Sequence, residues 1–112
     1  MNSAPLSQAQ VDQFQRDGYL VVPELLTPEE LHAFKEHERN SPPGPRGLQH
    51  HRTDPQWAHV AKHPRIVPMV RQLIGGKPQI AQTMYMAKAP QGGTGISLHQ
   101  DLMYIRNTPN TL

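Results

Sequence analysis

The sequence predicts part of one small domain of the α+β class, in which helices come first and strands begin towards the end. Helix caps and apolar positions at helical spacing recur as far as residue 76. Alternating apolar and polar positions follow from residue 79. The length of 112 residues suits one domain, and a hydrophobic content of 36% allows only a modest core. We therefore assign residues 1–112 to a single domain, with residues 1–6 disordered and residues 40–53 forming a loop.

The first predicted helix begins after Ser7, whose hydroxyl is a favourable N-cap, and ends before Gly18. Val11 and Phe14 lie at helical spacing on its apolar side. The run YLVVP at residues 19–23 is short, β-branched and aromatic, which predicts a strand.

A second helix is predicted within the run LTPEELHAF. Thr27 is its N-cap, Pro28 occupies the first helical position, and Glu30 completes a capping box. We expect this helix to end near Arg39.

The run NSPPGPRG at residues 40–47 interrupts regular structure, because its prolines lack amide donors and its glycines permit turns. Two short helical segments are predicted over residues 54–76, where the pattern ends at Gly75 and Gly76. Pro68 lies inside the second segment, and a proline disfavours the interior of a helix because it lacks an amide donor.

Two further strands are predicted, over residues 79–88 and residues 96–105. Gln82 and Lys88 fall on the same face of the first of these, since alternate residues of a strand point to the same side. A sheet that begins only here is typical of the front part of an α+β domain.

The composition excludes several classes of protein. Cysteine is absent, so a metal site would have to use His, Asp or Glu. The first residues lack the basic start and apolar run of a secretory signal, and no run is apolar over the length of a bilayer. We therefore expect a soluble, cytoplasmic protein without a membrane partner.

The charges are unevenly distributed along the chain. Residues 1–38 carry two basic and seven acidic side chains, whereas residues 39–112 carry nine basic and two acidic ones. A basic second half suits an anionic small molecule. The bases are scattered, without the dense run and interleaved aromatic residues typical of nucleic-acid binding. We expect a small-molecule substrate and no nucleic-acid partner, and the pattern leaves the oligomeric state open.

The run SLHQD contains the most distinctive pair of side chains, His99 and Asp101. On an extended segment these two project to the same side, with Gln100 turned away. Two such ligands and one distant His form the facial triad of non-haem iron oxygenases, which leaves positions open for cosubstrate and oxygen. The pair alone is weak evidence, because a chain with seven histidines contains such pairs by chance.

The context of this pair carries more weight. The runs DGYLVVPELLTPEEL (residues 17–31) and QTMYMAKAPQGGTGISLHQDLMYI (residues 82–105) resemble the phytanoyl-CoA dioxygenase family of iron(II)/2-oxoglutarate oxygenases. In that family a Gly-Tyr strand leads into a Thr/Ser-Pro-Glu-Glu helix. A strand carrying Gln and a Lys-Pro-like turn then precedes the His-x-Asp motif. The resemblance extends from about residue 7 onward.

This resemblance implies that the protein hydroxylates a small organic substrate with Fe(II) and the cosubstrate 2-oxoglutarate. His99 and Asp101 match the first two iron ligands of the family. Gln82, Lys88 and Tyr104 are implied contacts of the cosubstrate or substrate. An ordinary structural role stays open for each of them. Gln82 could be a satisfied polar residue, Lys88 a solvated strand end and Tyr104 a core aromatic residue.

The resemblance also bears on the extent of the domain. The third ligand of the family, a second His, and the basic residue that pairs with 2-oxoglutarate lie well downstream of the His-x-Asp motif. The family fold is a double-stranded β-helix, a jelly-roll (cupin-like) of about eight strands. We therefore expect an N-terminal fragment with the first strands of an incomplete jelly-roll, inactive on its own. A non-catalytic binding or assembly module derived from such an oxygenase is the alternative.

Four other histidines form a competing metal site. His59 and His63 are four residues apart and would share one helix face, as in zinc sites. The run HVAKH lacks the Glu that a zinc hydrolase uses as general base, and Pro64 places His63 at a helix boundary. Together with His50 and His51, they are better explained as scattered surface histidines than as the site of a small zinc hydrolase.

Overall fold

The computed structural model describes residues 5–108 of the protein. Four α-helices follow one another: α1 (Gln8–Asp17), α2 (Pro28–Asn40), α3 (Pro55–Ala61) and α4 (Ile66–Ile74). Single turns of 3-10 helix occur at His50–Arg52 and Asp101–Met103. None of the described helices combines the length and the apolar character that a membrane crossing requires.

Helix α1 is capped as the sequence predicts. The Ser7 hydroxyl accepts a hydrogen bond from the Gln10 amide at 3.2 Å, and the Gln10 side-chain oxygen accepts one from the Ser7 amide at 2.9 Å. Gly18 ends the helix in a left-handed conformation with a φ of 81°. This conformation suits glycine because it has no Cβ to clash with the backbone.

A double hydrogen bond fastens the start of α1 to α4. The Leu6 amide donates to the side-chain oxygen of Gln72 at 3.0 Å. The side-chain NH₂ group of Gln72 donates back to the Leu6 carbonyl at 2.8 Å. The Leu6 side chain is buried. Within the segment predicted to be disordered, Leu6 is therefore held in place, while residues 1–4 lie outside the described residues.

Helix α2 begins with the predicted capping box. The Thr27 hydroxyl accepts from the Glu30 amide at 3.2 Å, and the Glu30 carboxylate accepts from the Thr27 amide at 2.9 Å. Pro28 stands at the first helical position, where its missing amide hydrogen has no helical partner to lose. The helix ends at Asn40, one residue beyond the predicted end.

Helices α3 and α4 are the two predicted short segments. Asp54 caps α3, because one of its carboxylate oxygens accepts from the amides of Gln56 (2.9 Å) and Trp57 (3.3 Å). Pro68 is the third residue of α4, where the amides lack intrahelical acceptors, so the ring does not break the helix. Gly75 ends α4 with a φ of 73°.

The predicted strands over residues 19–23, 79–88 and 96–105 are wrong for the part of the chain that the structure describes: no strand forms there. Alternation along a sequence indicates two faces, but a strand also needs a neighbour to complete its hydrogen-bond ladder. Within residues 5–108 the second of these segments obtains one isolated antiparallel bridge, between Tyr85 and Arg46.

That bridge pairs the second predicted strand with the Pro- and Gly-rich loop. The Arg46 amide donates to the Tyr85 carbonyl at 2.8 Å, the Tyr85 amide donates back at 3.2 Å, and the Gln49 amide donates to the Thr83 carbonyl at 3.1 Å. Gln49 has a left-handed backbone with a φ of 67°, so the loop turns away and the ladder stops. In the third segment, the 3-10 turn at Asp101–Met103 replaces extended backbone.

The side chain of Trp57 contacts aromatic rings from three other parts of the chain. Its ring packs on Phe34 of α2 at 5.6 Å between centroids, on His50 at 5.5 Å and on Tyr85 at 6.1 Å. Its indole nitrogen donates to a Glu38 carboxylate oxygen at 2.6 Å. α2, α3 and the bridged segment are therefore held together by one aromatic cluster with a polar tie.

Candidate metal centre

His99 and Asp101 lie side by side, as the spacing predicts. The distance from His99 Nε2 to an Asp101 carboxylate oxygen is 3.3 Å. The intervening Gln100 has an extended backbone (φ −101°, ψ 132°), and the 3-10 turn begins at Asp101. One extended residue followed by a turn therefore produces the convergence that was predicted on a strand.

A hydrogen bond determines which nitrogen of His99 is free. His99 Nδ1 lies 2.7 Å from the Ser97 carbonyl oxygen, and a carbonyl can only accept. Nδ1 therefore carries the hydrogen, and in the neutral ring Nε2 presents its lone pair to Asp101. Metal-binding histidines are oriented by the same kind of bond from the other ring nitrogen.

The donor set and the separation of its two ligand atoms fit a divalent cation. Two ligand atoms on one ion, each about 2.1 Å from it, lie about 3.0–3.4 Å apart, and the observed separation of 3.3 Å falls in that range. A neutral imidazole lone pair facing a carboxylate is unfavourable unless a proton or a cation lies between them. The Asp101 side chain is 68% exposed and that of His99 is 32% exposed, so an ion can reach both.

Tyr104 is the predicted contact residue that the structure brings to this pair. Its ring meets that of His99 edge-on, with centroids 5.3 Å apart and an interplanar angle of 88°. The Tyr104 amide donates to the Asp101 carbonyl at 2.9 Å, which closes the 3-10 turn. The turn therefore places the Tyr104 ring in contact with the His99 imidazole.

Gln82 and Lys88 stand apart from the pair. Within residues 5–108 neither side chain forms a hydrogen bond or an ion pair with His99 or Asp101. Lys88 is exposed beside Gly93, in a shallow groove of about 380 Å³, and Gln82 is half-buried. Their predicted contacts to a cosubstrate or substrate stay predictions.

Two of the four competing histidines are not the surface residues that the sequence predicts, whereas His59 is exposed as predicted. His63 is fully buried and His51 is 7% exposed. His51 Nδ1 lies 2.8 Å from the Thr83 hydroxyl, so this histidine ties the 3-10 turn to the bridged segment. Burial of this kind depends on partners far along the chain, which residue spacing does not indicate.

His63 uses both of its ring nitrogens within the protein. The Arg65 amide donates to Nδ1 at 3.1 Å, so Nδ1 is an acceptor and the hydrogen is on Nε2. Nε2 then donates to a Glu30 carboxylate oxygen at 2.9 Å. His59 is exposed, and its Nε2 is 4.0 Å from the same oxygen. This arrangement is a structural tie between α2 and the α3–α4 connection, and it leaves no lone pair of His63 for zinc.

The carboxylate of Glu30 is correspondingly stabilised in its charged form. Its pKa is lowered from 4.5 to about 2, chiefly by the hydrogen bond from the Thr27 amide and next by that from His63. Partial burial acts in the opposite direction, and the Arg65 guanidinium, which also binds the carboxylate, lowers the pKa further.

Sequence reasoning missed a second cluster of side chains of the types that can bind a metal ion, formed by His37, Glu38 and Asp54. Burial acts to raise the pKa of Asp54, but hydrogen bonds from His37 and from the Trp57 and Gln56 amides outweigh it and keep the pKa below its usual value. The Asp54-Pro55 pair is a recognisable helix start. Nothing in the spacing links it to a histidine 17 positions earlier.

Comparison with known proteins identifies the family of the chain. The family model described as phytanoyl-CoA dioxygenase (PhyH) matches residues 38–112, which is more than half of the chain and includes both side chains. The chain belongs to the phytanoyl-CoA dioxygenase family. The resemblance noted from the sequence is thereby confirmed. No solved structure matches the chain significantly.

One curated relative is the ectoine dioxygenase of Halomonas elongata. It is 31% identical over 116 aligned residues, which cover 87% of this chain and 35% of the relative. The chain therefore spans about a third of the length of that relative. The phytanoyl-CoA dioxygenase family consists of 2-oxoglutarate-dependent dioxygenases with a jelly-roll fold, of which residues 5–108 display the helical part and one β-bridge.

Proposed function

We propose that this chain is part of an Fe(II)/2-oxoglutarate-dependent dioxygenase that hydroxylates a small organic substrate, with His99 and Asp101 as two of the iron ligands. The observation that carries this proposal is the orientation of His99. Its Nδ1 faces the Ser97 carbonyl at 2.7 Å, which leaves Nε2 free, 3.3 Å from the Asp101 carboxylate. Membership of the phytanoyl-CoA dioxygenase family supports the same assignment.

Each residue of the pair has a definite task in this proposal. The Ser97 carbonyl fixes the tautomer of His99, and the Tyr104 ring packs perpendicular to the imidazole. Asp101 supplies negative charge that offsets part of the charge of the cation. When bound, iron with 2-oxoglutarate supplies the oxidising chemistry: one oxygen atom of O₂ enters a substrate C–H bond and the other enters succinate, as 2-oxoglutarate loses CO₂.

Two protein ligands alone hold an iron ion weakly. Among the described residues, no third His, Asp or Glu offers a ligand atom within 4.8 Å of both members of the pair. We propose that the 112 residues alone bind Fe(II) weakly and produce little or no succinate. The remainder of a family domain would then supply the third ligand and the basic group for 2-oxoglutarate.

The test is anaerobic titration of the purified chain with Fe(II), followed by measurement of succinate after O₂ and 2-oxoglutarate are added. Ectoine and phytanoyl-CoA are the first substrates to try, because they appear in the names of the relative and the family. We expect weak Fe(II) binding that falls at least tenfold in His99→Ala and Asp101→Ala and is unchanged in His32→Ala, an exposed control on α2.

The two parts of the proposal fail separately. Fe(II) affinity that is the same in the wild type and in His99→Ala would overturn the ligand assignment. Rapid succinate formation by the 112 residues, abolished by His99→Ala, would support the ligands and overturn the claim that the chain is inactive alone.

A binding or assembly module is a second candidate function, and the exposure of one segment favours it. Large apolar side chains are exposed between residues 84 and 104, among them Leu98 at 104% and Met103 at 69%. Exposed apolar surface of this kind marks association sites. Sedimentation of the purified chain tests this candidate: a monomer at all concentrations counts against it, and a concentration-dependent dimer weakened by Leu98→Ser supports it.

A further inference from the structure

A wide groove lies among the first 3-10 turn, α3, α4 and the segment at residues 78–80, and its volume is about 1050 Å³. Pockets that hold small molecules approach this size. The groove is separate from the proposed iron site, because neither His99 nor Asp101 lines it. Its wall is largely apolar and includes Ala58, Ala61, Ile66, Val67, Val70 and Ile80.

The charged side chains that line the groove are both basic. Arg52 ends the 3-10 turn, and Lys62 follows the last residue of α3. Both are exposed, and within residues 5–108 neither side chain forms an ion pair or a hydrogen bond. Arg16, Arg46 and Arg65, by contrast, are paired with carboxylates. The groove therefore presents positive charge that no carboxylate of the described residues neutralises, which favours an anion.

His51 adds a hydrogen-bond donor to the groove. Its side chain lines the groove, although it is only 7% exposed. The Thr83 hydroxyl accepts from the His51 amide at 3.3 Å and lies 2.8 Å from Nδ1. The single hydrogen of that hydroxyl has no other acceptor among the described residues, so it is donated to Nδ1, and Nε2 carries the hydrogen of the neutral ring.

This Nε2 hydrogen is available to a ligand. Within residues 5–108 the nitrogen has no hydrogen-bond partner, yet it is not one of the fully enclosed atoms that lack one. Since His51 is otherwise buried and lines the groove, its Nε2 opens on that groove. The bond from Thr83 fixes the tautomer, so the donor is oriented before a ligand arrives.

We propose that this groove binds an amphipathic carboxylate, in which one carboxylate group is attached to an apolar body. Arg52, Lys62 and His51 supply the donors for the carboxylate, and the guanidinium fork of arginine matches its two oxygens. The apolar body packs on the wall formed by α3 and α4, where it is removed from water. A dicarboxylate such as succinate is disfavoured, because its second charge would lie against that wall.

The experiment is a titration of the ¹⁵N-labelled, metal-free chain with 4-phenylbutyrate, followed by amide chemical shifts. We expect saturable shifts within residues 51–80. The neutral analogue 4-phenyl-1-butanol should bind about tenfold more weakly, since it forms no charge-assisted hydrogen bonds. Added NaCl should weaken the binding of 4-phenylbutyrate and not that of the alcohol, because salt screens exposed charges. Succinate should cause no saturable shift in the groove.

Charge-matched variants identify the donors. Arg52→Gln/Lys62→Gln should weaken 4-phenylbutyrate at least tenfold and leave the alcohol unchanged, and the fold should persist because both side chains are exposed and unpaired. Lys35→Gln/Arg71→Gln is the control, since it removes two exposed cations that do not line the groove. It should bind 4-phenylbutyrate as the wild type does.

Two single variants test the apolar wall and the separation from the iron pair. Ala61→Phe fills the groove without changing its charge and should weaken the acid and the alcohol alike. His99→Ala should bind 4-phenylbutyrate as the wild type does.

The proposal is overturned if 4-phenylbutyrate causes no saturable shift, or if the Arg52/Lys62 variant binds as tightly as its control. Loss of binding in His99→Ala, or shifts confined to residues 84–104, would place the ligand elsewhere and also overturn it. Shifts within the groove that appear when the chain is concentrated without any ligand would assign the groove to a second copy of the chain and exclude the carboxylate.

Discussion

His63 and Glu30 join two regions of the chain that are 33 positions apart, through a hydrogen bond of 2.9 Å from the imidazole Nε2 to the carboxylate. The histidine is fully buried, and its other nitrogen accepts from the Arg65 amide. Arg65 in turn binds the same carboxylate and donates to the Leu25 carbonyl at 2.9 Å. A single histidine therefore fixes the start of α2 relative to the start of α4.

Replacing this histidine should destabilise the protein strongly. His63→Ala removes two hydrogen bonds and leaves a cavity and an unpaired amide, so we expect a loss of about 2–4 kcal/mol in the free energy of unfolding. His32→Ala, an exposed histidine on α2, is the control and should change stability by less than about 0.5 kcal/mol. Urea unfolding followed by circular dichroism measures both. Equal free energies of unfolding for the two variants would show that the hydrogen bonds of His63 do not stabilise the fold.

The same tie predicts how stability depends on pH. Glu30 has a folded-state pKa of about 2 against an ordinary value of 4.5, so the folded protein binds its proton less readily than the unfolded chain. The resulting stabilisation is complete above about pH 4.5 and is lost as the pH falls towards 2. Glu30→Gln lacks the titrating group and should show a shallower loss of stability over that range.

The measurement is the free energy of unfolding of wild type and Glu30→Gln between pH 6 and pH 3. We expect the difference between the two proteins to be largest at the upper end and to shrink at acid pH. A difference that is constant with pH would contradict a lowered pKa of Glu30. Asp54 titrates in both proteins, so its own lowered pKa cancels in the comparison.

The caps of the helices could be predicted from the sequence because they depend on neighbours. Ser7, Thr27 and Gly18 act within four residues of the atoms that they contact, and each does so where the sequence predicts. His99 and Asp101 belong to the same class, since one residue separates them and a local turn suffices to bring them together. Short-range geometry therefore accounts for the proximity of these two side chains, which the sequence predicts.

The predictions that the structure contradicts depend on contacts between distant parts of the chain. The segment around Tyr85 alternates as a strand does, but whether a ladder forms depends on its neighbour, which here is the loop at Arg46. His63 is buried because Glu30 lies opposite, and the two are 33 positions apart. No periodicity in the sequence carries that information, which is why this histidine was expected at the surface.

The two glycines at the end of α4 offer a matched pair for a backbone prediction. Gly75 has a φ of 73°, whereas Gly76 lies outside the left-handed region, and both would have open space around an added Cβ. Gly75→Ala should therefore cost about 1 kcal/mol through backbone strain alone. Gly76→Ala should be neutral or slightly stabilising, by up to about 0.5 kcal/mol. Thermal unfolding distinguishes the two, and equal effects would contradict a left-handed C-cap at Gly75.

Tyr104 permits a test that separates two roles within the proposed iron site. Its ring packs perpendicular to that of His99, so Tyr104→Ala should free the imidazole and weaken Fe(II) or Co²⁺ binding several-fold. Tyr104→Phe keeps the ring contact and should leave metal affinity unchanged. If the phenol binds 2-oxoglutarate, as the family resemblance implies, Tyr104→Phe should weaken 2-oxoglutarate binding to the metal-loaded protein. Titration of metal and then of 2-oxoglutarate measures both. Unchanged 2-oxoglutarate affinity in Tyr104→Phe, with metal affinity reduced only in Tyr104→Ala, would assign Tyr104 to positioning His99 and exclude the cosubstrate contact.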